Sequence, residues 1–211
     1  MEYLLGSALV FGLAYLAGSV PWGFFIGKLK GLDIRAHGSG NIGATNVRRV
    51  LGRKWGALCL ALDFLKGLLP VVLIGAPLGG VFALTPEWGR ILAAGGAVVG
   101  HVWPVWLGFK GGKGVATTVG ALLAVSWLAV LLCLCTWLAV FYPTRYVSVA
   151  SLCAAVMLPL GHVISGLVRG HAILTPSLGL LVLLAALIVV RHRGNIRRLR
   201  EGTEYRFGSR H

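Results

Sequence analysis

A glycine-rich run, G-S-G-N-I-G-A-T-N-V-R-R, occupies residues 38–49 and combines residue types that bind phosphate. Glycines let backbone N–H groups approach an oxyanion, and guanidinium groups present a planar fork that matches a phosphate. The candidate ligands are Gly38, Ser39, Gly40, Asn41, Thr45, Asn46, Arg48 and Arg49. No G-K-[ST] sequence follows the glycines, so the motif is not a nucleotide-binding Walker A loop. An ordinary turn with arginines beside a membrane span is the alternative interpretation.

A second run, G-F-K-G-G-K-G-V-A-T, occupies residues 108–117 between two apolar segments. Lys110 and Lys113 flank Gly111 and Gly112, so ammonium groups and unshielded backbone amides are expected to converge near the start of a helix. Helix starts of this kind favour anions. The alternative is a lysine pair that anchors the chain at the membrane surface.

A third run, R-H-R-G-N-I-R-R-L-R-E-G-T-E, follows the last apolar segment at residues 191–204. A basic orientation signal needs only lysine and arginine, which leaves His192, Asn195 and Glu204 to be explained. His192 and Asn195 lie three residues apart, so they are neighbours if the last helix continues, and they suit hydrogen bonding to a polyol. A solvated basic tail is the alternative.

Four polar residues lie inside apolar segments, where ionisable groups are costly unless they are paired or functional. Asp63 and Lys66 share one helical face, so they form either an internal ion pair or a substrate contact. His101 and His162 are expected to hydrogen-bond between helices and not to take part in catalysis.

A further small polar cluster, Arg145, Ser148 and Ser151, lies at the start of a predicted helix. The cysteines lie in apolar segments and are expected to be small buried hydrophobes without a disulfide. They are Cys59, Cys133, Cys135 and Cys153.

The composition is that of a membrane protein. Hydrophobic residues make up 57% of the chain and charged residues 12%, against about 25% charged residues in soluble domains. We therefore predict an all-α integral membrane protein with a single domain over residues 1–211. The formal net charge of +14 comes mainly from two blocks beside apolar segments, 28–54 and 191–210, which mark the cytoplasmic side without requiring a nucleic acid. The run from Tyr3 to Phe25 exceeds a signal-peptide core and is expected to be a retained span.

Six apolar segments are candidate spans. They lie at about 3–27, 55–76, 81–107, 115–142, 147–167 and 173–190. Six crossings would put the two basic blocks on opposite sides of the membrane, against the positive-inside rule. A turn near Val125 to Leu128 would divide the longest segment into two short helices and remove the conflict; one long tilted helix is the alternative. The prediction is seven transmembrane helices, with the amino terminus outside and the carboxyl terminus cytoplasmic.

Several classes of enzyme are excluded by what the chain lacks. Its six carboxylates are too few and too scattered for a metal cluster, and no H-E-x-x-H motif occurs. There is no G-x-S-x-G elbow, and no histidine has the H-x4-D spacing of thioester-dependent acyltransferases. Neither a metal nor a cofactor is expected. The residues fit an enzyme that binds two phosphorylated substrates at the cytoplasmic face, and acyl phosphate is a mixed anhydride that proximity and charge stabilisation can carry through acyl transfer.

The three motifs, in this order, resemble the cytoplasmic signatures of the PlsY family of bacterial acyl-phosphate:glycerol-3-phosphate acyltransferases. The resemblance extends from Ser19–Phe24 to Gly202–Glu204. It implies a seven-helix monomer in the bacterial inner membrane with a cytoplasmic active site. It also implies that a fatty acyl group passes from acyl phosphate to the sn-1 hydroxyl of glycerol 3-phosphate, releasing phosphate and starting phospholipid synthesis.

Carried over by motif, the resemblance assigns Ser39, Asn41 and Arg49 to the acyl phosphate and Lys113 to both phosphates. The catalytic residues are then Ser39, Lys113 and Arg49, and no enzyme base is expected because the donor's phosphate takes the proton. His192 and Asn195 would position glycerol 3-phosphate, assisted by Ser148 or Ser151. The substrate-binding set is Gly38, Gly40, Asn41, Thr45, Asn46, Gly111, Gly112, Ser148, Ser151, His192, Asn195 and Glu204.

Two rival functions use the same residues differently. A transporter of phosphorylated metabolites would place its binding groups near the membrane midplane, whereas here the phosphate-suited groups are predicted on one face. A structural lipid-binding protein would need the basic residues but not the serine, asparagine, histidine and glutamate set. The enzyme is therefore preferred, with membrane lipids as its surroundings.

Overall fold

The computed structural model describes residues 1–208, and within that range it contains eleven α helices and no strand. This confirms the all-α prediction. The chain divides into two compact units, residues 1–125 and a second unit that begins at Ser126.

The first unit holds seven helices, of which three are long and apolar. They are α1 (Glu2–Ser19), α2 (Trp22–Leu29), α3 (Ala44–Leu51), α4 (Arg53–Pro70), α5 (Ala76–Val81), α6 (Pro86–Val102) and α7 (Val115–Leu123). Pro21 separates α1 from α2, since proline cannot donate a helical hydrogen bond. A π-helical turn, Val71–Gly75, follows Pro70 and joins α4 to α5. The two predicted phosphate-binding motifs therefore occupy the α2–α3 loop with α3, and the α6–α7 loop.

The second unit holds α8 (Trp127–Thr144), α9 (Val147–Arg169), α10 (Pro176–Arg191) and α11 (Arg193–Arg200). Arg145 ends α8 in a left-handed conformation, with φ of 62°, and so turns the chain into α9. His162 of α9 bridges two other elements, with Nδ1 3.4 Å from Ser126 Oγ and Nε2 3.0 Å from Thr175 Oγ1. The predicted role of His162 between helices is confirmed.

Five helical runs within residues 1–208 are long and apolar enough to cross a membrane. They are Glu2–Leu29, Arg53–Val81, Pro86–Leu107, Trp127–Thr144 and Val147–Arg169. A sixth candidate joins α10 to α11, which are bent by 51° at their junction. The seven crossings and the orientation of the termini remain predictions.

The predicted break in the longest apolar segment is present. Helix α7 ends at Leu123 and α8 begins at Trp127, so the single long helix, which was the alternative, is wrong. At 1.5 Å per residue, the 9 residues of α7 reach about 14 Å, roughly half of the ~30 Å hydrocarbon core. Helix α8 has 18 residues and is one of the five candidate spans. The two helices are thus unequal, and only α7 is as short as expected.

The exposed cysteine on α8 corrects another expectation. Cys59 and Cys133 are buried, and Cys153 is partly buried, but Cys135 is exposed. It lies among leucines that are also exposed, Leu131 and Leu138. In a membrane protein such a face contacts lipid, which is as favourable for a small hydrophobe as a protein interior.

Helices α1 and α6 pack with their backbones in direct contact. A methyl group added at Gly18 would collide with the carbonyl oxygen of Ala97, and one at Gly100 would collide with the carbonyl oxygen of Tyr15. Helices in membranes approach closely where small residues face each other, because packing and not water exclusion drives their association. This contact fixes α6, and therefore the start of the α6–α7 loop, against α1.

The substitution Gly18→Ala tests this packing. We expect it to lower the free energy of unfolding by about 1–3 kcal/mol, the usual cost of forcing an extra carbon into a close contact. Thermal unfolding in detergent micelles measures the effect.

Gly12→Ala is the matched control on the same helix, since a methyl group there would meet nothing within 4 Å. It should leave the unfolding midpoint unchanged or raise it slightly, because alanine is the better helix former. Equal losses from both substitutions would contradict the close contact.

Candidate active site

The side chain of Asn46 organises the first glycine-rich loop from inside. Asn46 is only 1% exposed, and its Oδ1 accepts hydrogen bonds from Ser39 N at 2.8 Å and Arg49 Nη1 at 3.3 Å. Two residues predicted to hold the acyl phosphate are therefore linked through one buried amide oxygen.

The amide nitrogen of Asn46 faces three backbone carbonyls of the same loop. Its Nδ2 lies 3.2 Å from Ile34 O, 3.0 Å from His37 O and 2.9 Å from Asn41 O. Two N–H groups are shared among three acceptors, so both ends of the amide are engaged. Asn46 therefore lies behind the loop and holds the loop backbone in its conformation through these hydrogen bonds.

The outward face of this loop carries the groups suited to phosphate. Ser39, Thr45 and Arg49 are exposed. Gly38 and Gly40 have φ of 58° and 70°, which L-residues rarely adopt, and a methyl group at Gly38 would collide with Asn46 Oδ1. The glycines are therefore needed for the turn that brings Ser39 over Asn46.

Asn41 lies at the base of the same loop. Its Oδ1 accepts a hydrogen bond from Gly43 N at 2.8 Å, immediately before α3 begins. Asn41 thereby fixes the entry of the chain into the helix that carries Arg49.

The second loop differs from the sequence-based expectation in its backbone. Gly111 N donates to Val102 O and Gly112 N donates to His101 O, both at 3.1 Å. These two amides, which were expected to face an anion, bind the loop to the end of α6. The groups that the loop presents are the exposed Lys110 and the partly buried Lys113 side chains.

Behind the second loop lies a buried ionic cluster in the helices of the first unit. Lys66 Nζ lies 2.9 Å from Asp63 Oδ1 and donates to Val20 O at 2.8 Å, and His101 Nδ1 lies 3.6 Å from Asp63 Oδ1. The internal ion pair, one of two alternatives for Asp63 and Lys66, is therefore present. His101 approaches Asp63 of α4, but 3.6 Å is longer than a hydrogen bond, so the predicted hydrogen bond of His101 to another helix stays a prediction.

In the second unit, Glu204 gathers the polar residues of the third motif. Its Oε1 accepts hydrogen bonds from Ser148 Oγ at 2.7 Å and Asn195 Nδ2 at 2.6 Å, and its Oε2 accepts one from Arg198 Nε at 2.8 Å. Burial acts to raise the pKa of Glu204, but the hydrogen bonds from Asn195, Ser148 and Arg198 outweigh it and hold the pKa below its ordinary value. Glu204 is therefore an ionised acceptor.

The segment that carries Glu204 is fixed against the α8–α9 turn. Phe207 N donates to Arg145 O at 2.8 Å, and the Phe207 ring packs edge-on against Phe141 with centroids 5.1 Å apart. The structure separates the two serines of this turn. Ser148 binds Glu204, whereas Ser151 Oγ donates to Val147 O at 2.8 Å and lies 3.3 Å from Trp137 Nε1.

His192 lies at the bend between α10 and α11. The condition under which His192 and Asn195 would be helical neighbours, a continuous last helix, is not met, because α10 ends at Arg191 and the next helix turns by 51°. His192 Nδ1 is 2.8 Å from Ile188 O. A carbonyl can only accept, so Nδ1 carries a proton, and in the neutral form of the ring Nε2 is then the acceptor.

Sequence reasoning missed one residue of this cluster, Arg198. It lies three residues after Asn195 on α11, and both contact the same carboxylate. The i, i+3 spacing of an asparagine and an arginine was a signal, but the surrounding arginines concealed it. Within each unit the structure brings some of the predicted site residues together, namely Ser39, Asn46 and Arg49 in the first and Ser148, Asn195 and Glu204 in the second.

Comparison with known proteins gives one consistent result. The family model of glycerol-3-phosphate acyltransferases matches residues 8–202. The glycerol-3-phosphate acyltransferase of Geobacter sulfurreducens is 45% identical over 97% of this chain and 99% of the relative. The enzyme of the same name from Aquifex aeolicus is 43% identical, over 92% of this chain and 95% of the relative.

Two solved structures share the fold. Both are crystal structures of PlsY (YgiH), an integral membrane glycerol 3-phosphate acyltransferase, and each is 42% identical to this chain. The glycerol 3-phosphate form gives a TM-score of 0.83 with 96% of both chains covered. The lysophosphatidic acid form gives 0.80, with 96% of this chain and 95% of that chain covered.

The substitution Glu204→Gln tests the role of this carboxylate. The amide would turn a donor toward Ser148 Oγ and Asn195 Nδ2 or toward Arg198, so one hydrogen bond is lost, at a cost of about 1–3 kcal/mol. We expect faster trypsin cleavage after Arg198 and Arg206 in the folded protein. Unchanged cleavage would contradict the role.

In the wild type, the stability of the segment that carries Glu204 should depend on pH. Because the pKa of Glu204 is depressed in the folded state, its stabilisation is complete above the unfolded pKa of roughly 4.3 and is lost as pH falls through the lower folded value. Hydrogen exchange of residues 201–207 between pH 6 and pH 3, corrected for intrinsic rates, should lose protection in the wild type but change little in the Glu204→Gln variant.

Proposed function

The chain belongs to the glycerol-3-phosphate acyltransferase family, and we propose that it transfers a fatty acyl group from acyl phosphate to the sn-1 hydroxyl of glycerol 3-phosphate. The products are 1-acyl-sn-glycerol 3-phosphate and inorganic phosphate. The family match covers most of the chain, and the relatives described above are named glycerol-3-phosphate acyltransferases, which supports the acceptor and the class of reaction. The reaction is the first step of phospholipid synthesis.

The main observation that supports acyl phosphate as the donor is that Glu204 is ionised and hydrogen-bonded. It is the sole carboxylate of the predicted site, and three donors hold it ionised with a lowered pKa. A carboxylate so stabilised is a weak base. Glu204 is therefore not suited to act as the general base, and the chain also lacks the H-x4-D spacing of thioester-dependent acyltransferases. Both features favour the more strongly activated donor, a mixed anhydride.

In the proposed reaction, Ser39, Asn41 and Arg49 bind the phosphate of the donor, and Lys113 neutralises charge on both substrates. The glycerol hydroxyl oxygen attacks the acyl carbon and forms the ester, the bond from that carbon to the phosphate oxygen breaks, and the hydroxyl proton passes to the departing phosphate. Positioning and charge stabilisation supply the rate enhancement. The reaction as written requires neither a metal nor a cofactor.

The remaining predicted residues hold or orient these groups. His192 and Asn195 position glycerol 3-phosphate, and Glu204 with Ser148 fixes the Asn195 side chain. Gly38, Gly40, Thr45 and Asn46 shape the first loop, Gly111 and Gly112 shape the second, and Ser151 supports the start of α9. The support for these roles is the geometry within each unit described above.

We place the enzyme in the bacterial inner membrane as a monomer of one domain. Seven crossings, with α7 as a short one, put both basic blocks and all three motifs on the cytoplasmic side. A helix of this length is tolerated where neighbouring protein covers its ends or the bilayer thins.

Phosphate release from palmitoyl phosphate tests the reaction. Purified protein in lipid vesicles should release phosphate only when glycerol 3-phosphate is added, and palmitoyl-CoA should not replace the donor. Turnover with palmitoyl-CoA would overturn the donor assignment. A folded protein without any turnover would favour a transporter.

Substitutions in the two loops test the site. Lys113→Ala and Ser39→Ala should each lower kcat/KM by at least about a hundredfold, as loss of charge or hydrogen-bond stabilisation does in other active sites. Cys135→Ala is the control, since its side chain faces outward on α8. Cys59 is a poorer control because its thiol lies 3.7 Å from Asp63 and 3.9 Å from Ile42 O. Comparable losses from all variants would contradict the assignment.

The pH dependence of kcat tests the proton transfer. If the departing phosphate takes the proton, the profile should lack a titration near neutrality that vanishes in a single side-chain variant. His192→Gln is the informative variant, because histidine is the side chain whose ordinary charge change falls near neutrality. A neutral-range pKa that disappears with this change would identify His192 as the base.

A further inference from the structure

The imidazole of His101 lies directly behind the second loop. His101 is 4% exposed and belongs to the last turn of α6. A methyl group added at Gly112 would collide with its Nε2, and the adjacent ring carbons would lie within about 3 Å. The ring and the backbone of Gly112 are therefore in van der Waals contact, with no room for a side chain between them.

The other edge of the ring faces a fixed charge. His101 Nδ1 is 3.6 Å from Asp63 Oδ1, and that oxygen also contacts Lys66 Nζ at 2.9 Å. Lys66 in turn donates to Val20 O at 2.8 Å, where α1 ends. The ring is thus held by α4 and, through Lys66, by the junction of α1 and α2.

The backbone of the second loop also contacts the end of α6, next to the His101 ring. Gly112 N donates to His101 O and Gly111 N donates to Val102 O, both at 3.1 Å. Gly111 has equally little space, since a methyl group there would meet His101 O and Pro104 Cδ. The turn that leads into Lys113 is therefore held against the end of α6 by one hydrogen bond to His101 O, one to Val102 O, and close packing.

We propose that His101 is a positioning residue for Lys113. The ring, held beside Asp63, determines how closely the Gly111–Gly112 turn approaches the end of α6. The position of the turn in turn determines where the Lys113 ammonium group lies. His101 acts through this backbone and does not contact substrate. The role of Lys113 in phosphate binding rests on the proposed function, whereas the contact between His101 and Gly112 does not.

A pair of compensating substitutions tests the contact. Gly112→Ala should lower kcat/KM for glycerol 3-phosphate because the methyl group pushes the turn off the ring. Adding His101→Ala vacates that space, so the double variant should regain about tenfold over Gly112→Ala alone, a coupling typical of residues in contact. If the double variant is no better than Gly112→Ala, the proposal is overturned.

His162→Ala is the matched control for His101→Ala in the double variant. His162 also joins elements through hydrogen bonds, to Ser126 and Thr175, but it lies in the second unit. Combined with Gly112→Ala it should give no recovery. Recovery with this control would show a general effect on stability and would overturn the specific role of His101.

Hydrogen exchange supplies a readout that needs no activity. In the His101→Ala protein, the peptide covering residues 108–114 should exchange about tenfold faster, as local opening becomes easier, while peptides of α8 and α9 are unchanged. Equal exchange at 108–114 would overturn the proposal, as would acceleration across the whole chain. If the wild type does not turn over, the proposed function fails, and exchange still decides the role of His101.

Discussion

A carboxylate inside an apolar helical bundle is stable only if other groups satisfy it, and Asp63 shows how this chain meets that constraint. Its two oxygens contact Lys66, His101 and Cys59, which lie on α4 and α6. Removing one partner of such a buried pair costs far more than the pair contributes, because the remaining charge is left without solvation. The helices are therefore held in the register that keeps these partners together. Helix α6 leads directly into the second phosphate-suited loop, and α3, which carries the end of the first motif, leads into α4.

The same arrangement, an acceptor surrounded by several donors, recurs in the first and third motifs. Asn46 and Glu204 each place one acceptor among several donors, and each thereby converts a flexible segment into a defined one. Loops that bind phosphate need exposed cationic side chains, which repel one another and gain little from packing. A central acceptor offsets this repulsion without covering the cationic groups. Asn46 is buried and Glu204 is partly buried, although both lie within the motifs that sequence alone would assign to substrate.

Much of the fold was accessible from composition, because apolar segments of sufficient length are the dominant signal in a membrane protein. The break between α7 and α8 was predicted from the charge of distant loops. The bend at His192 was not, because apolar and basic runs give no indication of where a helix turns. The engaged amides of Gly111 and Gly112 were also beyond prediction, since glycine permits close approach without specifying the partner, and here the partner is the end of α6.

The distance along the chain between Ser148 and Glu204, 56 residues, has a consequence for biosynthesis. At 5–20 residues per second, translation adds Glu204 roughly 3 to 11 seconds after Ser148. During that interval α9 is available for insertion with its first polar residue lacking the acceptor that the finished protein provides. The polar cluster of the second unit therefore forms only after the ribosome has added α11 and the segment beyond it, so a nascent chain that is already a membrane protein has no ordered third motif.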